Sequence, residues 1–175
     1  MKLNKIMIAA VAFGFTGMVN AAAPADAGHG EVKFTGSIIE APCSINPESQ
    51  KQEIDLGQIT VDDLKDSGKS VPRNFYIQLE HCTAGTINGV TTTFTGANSA
   101  GNSDLLGITG TGAGASIAIT DGSGTVITLG EATAKQTFQD GSNTLAYSAY
   151  LQGDAGVVAT PGEFSSIVNY SLAYQ

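Results

Sequence analysis

Apolar and polar residues alternate with a period of two along most of the chain, the spacing of strands that bury one face. Phe75, Ile77 and Leu79 alternate with Tyr76, Gln78 and Glu80 immediately before Cys82. Ile117, Ile119 and Val126 flank Asp121-Gly122-Ser123-Gly124, which is a hairpin turn by composition. Leu145, Tyr147, Ala149 and Leu151 alternate with Ala146, Ser148, Tyr150 and Gln152. Gly96-Ala97-Asn98-Ser99 and Asp140-Gly141-Ser142-Asn143 separate such runs. Only residues 60–66 have helical spacing, with Val61 and Leu64 three apart and Asp62-Asp63 in a first turn. Several short strands, with no linker or repeat of domain size, predict a single all-β domain built as an antiparallel sandwich.

The first residues break this pattern. Lys2 and Lys5 precede an uncharged run over residues 6–19, and Val19-Asn20-Ala21 places small residues where a signal peptidase reads, with Ala22-Ala23 as an alternative cut. A basic stretch, an apolar stretch and a small-residue cleavage site form a secretory signal. The run is shorter than the ~18–20 apolar residues a membrane span needs. The expectation is a signal peptide over residues 1–21 and an exported, soluble mature chain.

Charge and cysteines then narrow the partners. Eight basic residues against sixteen acidic ones give −8, and loss of Lys2 and Lys5 with the signal leaves −10 on 154 residues. Nucleic acid is thereby excluded, because a phosphate backbone needs a basic footprint. Charged residues make up only 14% and glycine supplies 22 positions, a composition suited to packed strands and tight turns rather than long helices. Cys43 and Cys82 admit one pairing and no four-thiolate metal site. Export to an oxidising compartment favours a disulfide over two free buried thiols, and chain entropy values its loop of about 40 residues at roughly 4 kcal/mol.

No catalytic or metal constellation is predicted, and no cofactor. Gly68-Lys69-Ser70 resembles the end of a phosphate-binding loop, but Asp63 stands where that motif needs its first glycine. The glycine-dense stretch over residues 107–114 lacks the spacing of a dinucleotide fingerprint. His29 and His81 are the two histidines, and His81 adjoins Cys82. The serines include no Gly-x-Ser-x-Gly elbow. Asp62-Asp63 reads as a solvated helix start rather than an acid/base pair.

Two alternating segments remain at the ends of the mature chain. From Gly28 onward, one face of an extended strand presents Val32, Phe34, Gly36 and Ile38, and the other presents His29, Glu31, Lys33, Thr35 and Ser37. The pattern suits the first strand of a sandwich. Gly36 points elsewhere, because glycine inside a strand costs stability and often marks a place where another backbone or side chain approaches closely. In the last segment Phe164, Val168, Tyr170, Leu172 and Tyr174 share one parity, interrupted by Ser166, and Gln175 follows. Such a strand at the end of the chain is expected to leave its own edge uncovered and a groove of core side chains exposed.

These features, in this order, resemble the structural subunits of type 1-like fimbriae, the chaperone–usher pilins of Gram-negative bacteria. The resemblance rests on Cys43 soon after an alternating N-terminal segment, on residues 75–82 carrying the second cysteine, on penultimate Tyr174 and on Gly162 fourteenth from the end. It implies an incomplete immunoglobulin-like sandwich lacking its last strand, completed by strand donation from a neighbouring subunit. Residues 22–38 would then be the donor extension, with Val32, Phe34, Gly36 and Ile38 as donor side chains, and residues 39–175 the pilin domain. Gly162, Phe164, Val168, Tyr170, Leu172 and Tyr174 would form the strand facing a periplasmic chaperone, and Cys43–Cys82 the family disulfide. The implied partners are other pilin subunits in a head-to-tail polymer, the chaperone and an outer-membrane usher. The implied destination is a fimbria on the cell surface, reached through the periplasm and serving adhesion. A tip adhesin would need a further receptor-binding domain, for which 154 mature residues leave no room. A minor shaft or adaptor subunit would share every one of these features. A self-complete secreted sandwich would instead fold its N-terminal stretch onto its own core.

Overall fold

The computed structural model describes residues 28–175. The expected signal over residues 1–21 and the first part of the expected extension, residues 22–27, lie outside the described residues. The chain divides after Ile38, and Ile39–Gln175 forms a compact unit. Its elements run β1 (Ser44–Ile45), α1 (Pro47–Gln50), a 3-10 segment (Asp62–Ser67), β2 (Arg73–Cys82), β3 (Gly89–Gly96), β4 (Leu106–Gly107), β5 (Thr109–Gly110) and β6 (Ala115–Asp121). Then follow β7 (Gln136–Thr137), β8 (Gly141–Gly153), β9 (Phe164–Ser165) and β10 (Val168–Tyr174).

One sheet orders its strands β1-β2-β8-β6-β4, a second β10-β3-β7, and β5 pairs with β9 alone. All these pairings are antiparallel. The predicted alternation in β2 holds: Ile77 and Leu79 are fully buried while Tyr76 and Gln78 face out. They pack with Leu145 and Tyr147 of β8 and Ile119 of β6 against Val90 and Phe94 of β3, which makes the all-β sandwich core.

Tyr147 joins the two sheets. Its ring meets Phe94 edge-on at 5.1 Å and Phe75 at 5.6 Å. Its hydroxyl donates to Thr92 Oγ1 at 2.7 Å and accepts from Gln136 Nε2 at 3.2 Å, so this buried polar group is satisfied by the opposite sheet. On the far face of β8 the alternation fails. Tyr150 is buried, because Leu105 and Ala118 close over it as a separate small cluster. The turn at residues 121–124 forms as expected: Asp121 Oδ1 accepts from Ser123 N and Thr125 N at 2.9 Å each, and Ile127 N returns to Ile119 O.

Three expectations about local structure are corrected. The helix predicted over residues 60–66 is a 3-10 segment, Asp62–Ser67, interrupted by non-helical backbone at Lys65 and Asp66. A second helical turn, α1, is present that period-two reading does not predict. Its signal is Asn46-Pro47-Glu48: Asn46 Oδ1 accepts from Glu48 N at 2.8 Å, with proline at the first helical position. The last segment is two strands, not one, because β9 pairs with β5 and β10 pairs with β3.

The glycine-dense stretch over residues 107–114 has a packing role. A Cβ on Gly110 would lie 2.3 Å from the Glu163 carbonyl oxygen, and one on Gly112 2.8 Å from that of Gly162. These glycines let the backbone of β5 and the residues after it lie directly on the segment that leads into β9.

Cys43, just before β1, is bonded to Cys82 at the end of β2. Replacing both cysteines by serine is expected to lower unfolding stability by roughly 4 kcal/mol, the chain-entropy value for this loop. Urea unfolding of the double variant measures it, and an unchanged midpoint would contradict the structural role of the bond.

An open groove as the candidate functional site

The last strand is held on one side only. β10 pairs with β3 from Val168↔Gly96 to Tyr174↔Val90, and no other described strand pairs with it. Gln175 and Gly89 exchange both backbone hydrogen bonds, at 2.8 and 2.9 Å. In an antiparallel ladder alternate residues face the partner, so Ala173, Ser171 and Asn169 also turn their polar groups toward β3. The N–H and C=O groups of Tyr174, Leu172, Tyr170 and Val168 therefore point to the free edge.

The side chains of those same four residues face the core and are only half-buried. By contrast, Leu145, Tyr147 and Leu151 of β8 are 2–3% exposed. A row of apolar side chains that faces inward yet remains half-exposed lacks its cover.

A groove of about 780 Å³ opens there. Phe75, Ile77, Phe94, Ile117, Ile119 and Ala149 form its floor. One lip is residues 166–170 and the other is drawn from residues 45–56, with Ile54 and Leu56 supplying apolar side chains. The second lip arises because β1 pairs with β2 for only two residues before α1 turns away. Beyond that point β2 is satisfied by other groups: Asn46 N donates to Gln78 O, Ser49 Oγ accepts from Gln78 N at 3.0 Å, and Gln52 Nε2 donates to Tyr76 O at 2.8 Å. Hydrogen bonding along this edge is met by one backbone amide and two side chains rather than by a continuing strand.

Of the residues expected on the last strand, Val168 and Tyr170 line the groove. Leu172 and Tyr174 share their face but pack toward the Cys43–Cys82 end, where the Tyr174 ring meets Phe138 edge-on at 5.8 Å. Phe164 is not brought to the groove and packs with Leu64, Ala115 and Leu151. Gly162 lies outside the strands, where a Cβ would approach Gly112 N and Thr111 C to 2.5 Å. The expected donor residues lie in a segment without regular structure: Val32, Phe34 and Ile38 are 74%, 91% and 104% exposed. A Cβ on Gly36 would meet nothing within 4 Å. The lip residues Ile54, Leu56 and Ile167 are functional candidates that strand periodicity does not single out. Ile54 and Ile167 are exposed and Leu56 is half-buried, apolar side chains without full cover.

The sequence profile of the fimbrial protein family matches residues 32–175. The chain belongs to the fimbrial protein family. It is 58% identical over 177 residues to the Fimbria A protein of Serratia marcescens, with all of both chains covered. It is 46% identical over 176 residues to the Major MR/P fimbria protein of Proteus mirabilis, again over the whole of both. Its fold is similar to that in the structure of a chaperone–usher pilus, with TM-score 0.77 and 35% identity, covering 88% of this chain and all of that one. It is also similar to the P pilus rod subunit PapA, with TM-score 0.69 and 33% identity over 77% of this chain and all of that one. This fimbrial subunit is therefore a structural protein with an immunoglobulin-like fold, not an enzyme.

Three tyrosines, Tyr147 in the core and Tyr170 and Tyr174 on β10, are shifted by their surroundings. Burial holds the hydroxyls of Tyr147, Tyr170 and Tyr174 above the usual 10.0, with the neighbouring Tyr174 charge adding to the shift at Tyr170. In the unfolded chain these groups ionise near 10, while the folded subunit keeps them protonated to higher pH. Their contribution is therefore fully present below pH ~10 and is lost as pH rises above it. Urea midpoints followed from neutral to strongly alkaline pH should hold level and then drop through this range, and a level midpoint throughout would contradict the burial.

The Tyr174 hydroxyl is also buried without a hydrogen-bond partner among the described residues. Leaving such a group unpaired costs about 1–3 kcal/mol. Tyr174→Phe is accordingly expected to raise stability at neutral pH by about 1 kcal/mol, read as a higher urea midpoint, whereas a loss would show that the hydroxyl is paired.

Proposed function

We propose that this fimbrial subunit builds the shaft of an adhesive fimbria by donor-strand exchange, with the groove beside β10 as the acceptor. The observation that carries this reading is the coincidence, on one strand, of a free hydrogen-bonding edge and a half-buried apolar face. An added strand meets both needs at once: main-chain bonds supply affinity and alternate side-chain pockets supply selectivity. The donor is residues 22–38 of another copy, presenting Val32, Phe34, Gly36 and Ile38. The first, second and fourth are bulky, apolar and exposed, and burying each contributes about 1.5–3 kcal/mol. Gly36 suits a point where the donor backbone must pass close to the groove wall.

Because donor and acceptor are different parts of one chain, the contact is head-to-tail and does not close, so it propagates an open filament. Before assembly the same groove would be filled by a strand of a periplasmic chaperone lying along β10, and an outer-membrane usher would mediate the exchange. Removal of residues 1–21 as a signal would precede this, and the −10 charge of the mature chain would keep subunits apart until a donor engages. A shaft on the cell surface then serves adhesion.

Deleting residues 22–38 is expected to leave a subunit that still copurifies with its chaperone yet forms no fibres with itself. Electron microscopy and heat-resistant multimers on gels provide the readout. Fibres assembled from the truncated subunit alone would overturn donor-strand exchange.

A further inference from the structure

The open groove stops at Tyr170. Its lining follows residues 166–170 on the β10 side, and neither Leu172 nor Tyr174 reaches it. The Tyr170 ring stands 6.5 Å from that of Phe94, and its hydroxyl donates to the Ser49 carbonyl oxygen on the opposite lip at 3.0 Å. The acceptor is firmly placed. Ser49 is 5% exposed, its Oγ accepts from Gln78 N at 3.0 Å, and its own N–H donates to Asn46 O at 2.9 Å. A side chain from the inner face of β10 thus fastens one lip of the groove to the other.

A strand added along β10 has to follow Val168–Tyr174, seven residues and about 23 Å at roughly 3.3 Å each. Its inward side chains must seat on both sides of Tyr170. We infer that Tyr170 is a latch on the acceptor groove. In the unfilled subunit its hydrogen bond to Ser49 bridges the lips where the open groove ends, before the half-buried Leu172 and Tyr174. The bond must release before a donor strand can seat along the whole of β10, so Tyr170 governs how fast the groove is filled. This inference rests on the strand-addition reading above and adds a residue that controls its rate.

The test uses the chain freed of its leader, refolded from denaturant and diluted into excess fluorescent synthetic peptide of residues 22–40. Fluorescence anisotropy follows peptide uptake, and near-ultraviolet circular dichroism checks that each variant is folded. Tyr170→Phe keeps the ring and removes the hydrogen bond, and it should take up peptide about fivefold faster than the wild type. Ser49→Ala removes the anchor to Gln78 while leaving the carbonyl, and it should be faster by about twofold. Tyr76→Phe, on the outer face of β2 and away from the groove, should match the wild type. Uptake by the wild type and Tyr170→Phe at equal rates, or slower uptake by Tyr170→Phe, overturns the latch and leaves strand addition standing. Absence of uptake by every folded variant overturns strand addition, and the latch with it.

Discussion

A β-strand with one partner has half of its backbone hydrogen bonds unmet, and β10 is such a strand with the further burden of an uncovered apolar face. Water can satisfy the exposed N–H and C=O groups, but it cannot favourably cover Val168 and Tyr170. The two deficits lie on the same residues because strand geometry places alternate side chains and alternate polar groups in register. Any group that resolves one deficit by pairing along β10 resolves the other by inserting side chains between the sheets. An extended peptide with apolar residues two apart meets that description, and residues 32–38 have this form.

The rest of the fold makes the opening tolerable. Tyr147 binds the two sheets together through Thr92 and Gln136, while Phe75 and Phe94 pack against its ring. The Cys43–Cys82 bond fastens the start of β1 to the end of β2 at the closed end of the groove. Glycines 110 and 112 press the β5 segment onto the residues that lead into β9, so the chain enters β10 from a fixed position. These devices leave the stretch of the groove beside Val168 open before anything enters it. A preformed acceptor of this kind limits the ordering cost of strand addition to the donor.

Much of this was legible from residue order alone, for identifiable reasons. Burial on one side of a sheet writes itself as alternation, so β2, β6 and β8 were visible, as was the turn after Asp121. The inward face of β10 was visible for the same reason, but its half-exposure is not written in the alternation, since its apolar parity differs in no way from that of a covered strand. Tyr150 escaped the pattern because a distant loop covers the outer face of β8, and alternation carries no information about loops that fold back. The break between β9 and β10 was hidden because Phe164 keeps the parity of Val168 while pairing in another sheet. The lip formed by α1 and the residues after it was hidden because four helical residues have no period to detect. Its cap, Asn46 followed by Pro47, was nonetheless present in the chain. Gly36 is legible as a glycine inside an alternating run, and the folded subunit places nothing against it.

On the proposed mechanism, another subunit adds its strand at the free edge of β10. Hydrogen exchange resolved to single amides tests this most directly, comparing the isolated subunit with assembled fibres. In the isolated subunit the amides of Val168, Tyr170, Leu172 and Tyr174 should exchange rapidly, while those of Asn169, Ser171 and Ala173, which face β3, are protected. In fibres both sets should be protected, with the first slowed by orders of magnitude. If the four outward amides exchange as fast in fibres as in the subunit, no strand has been added at this edge and the account is wrong.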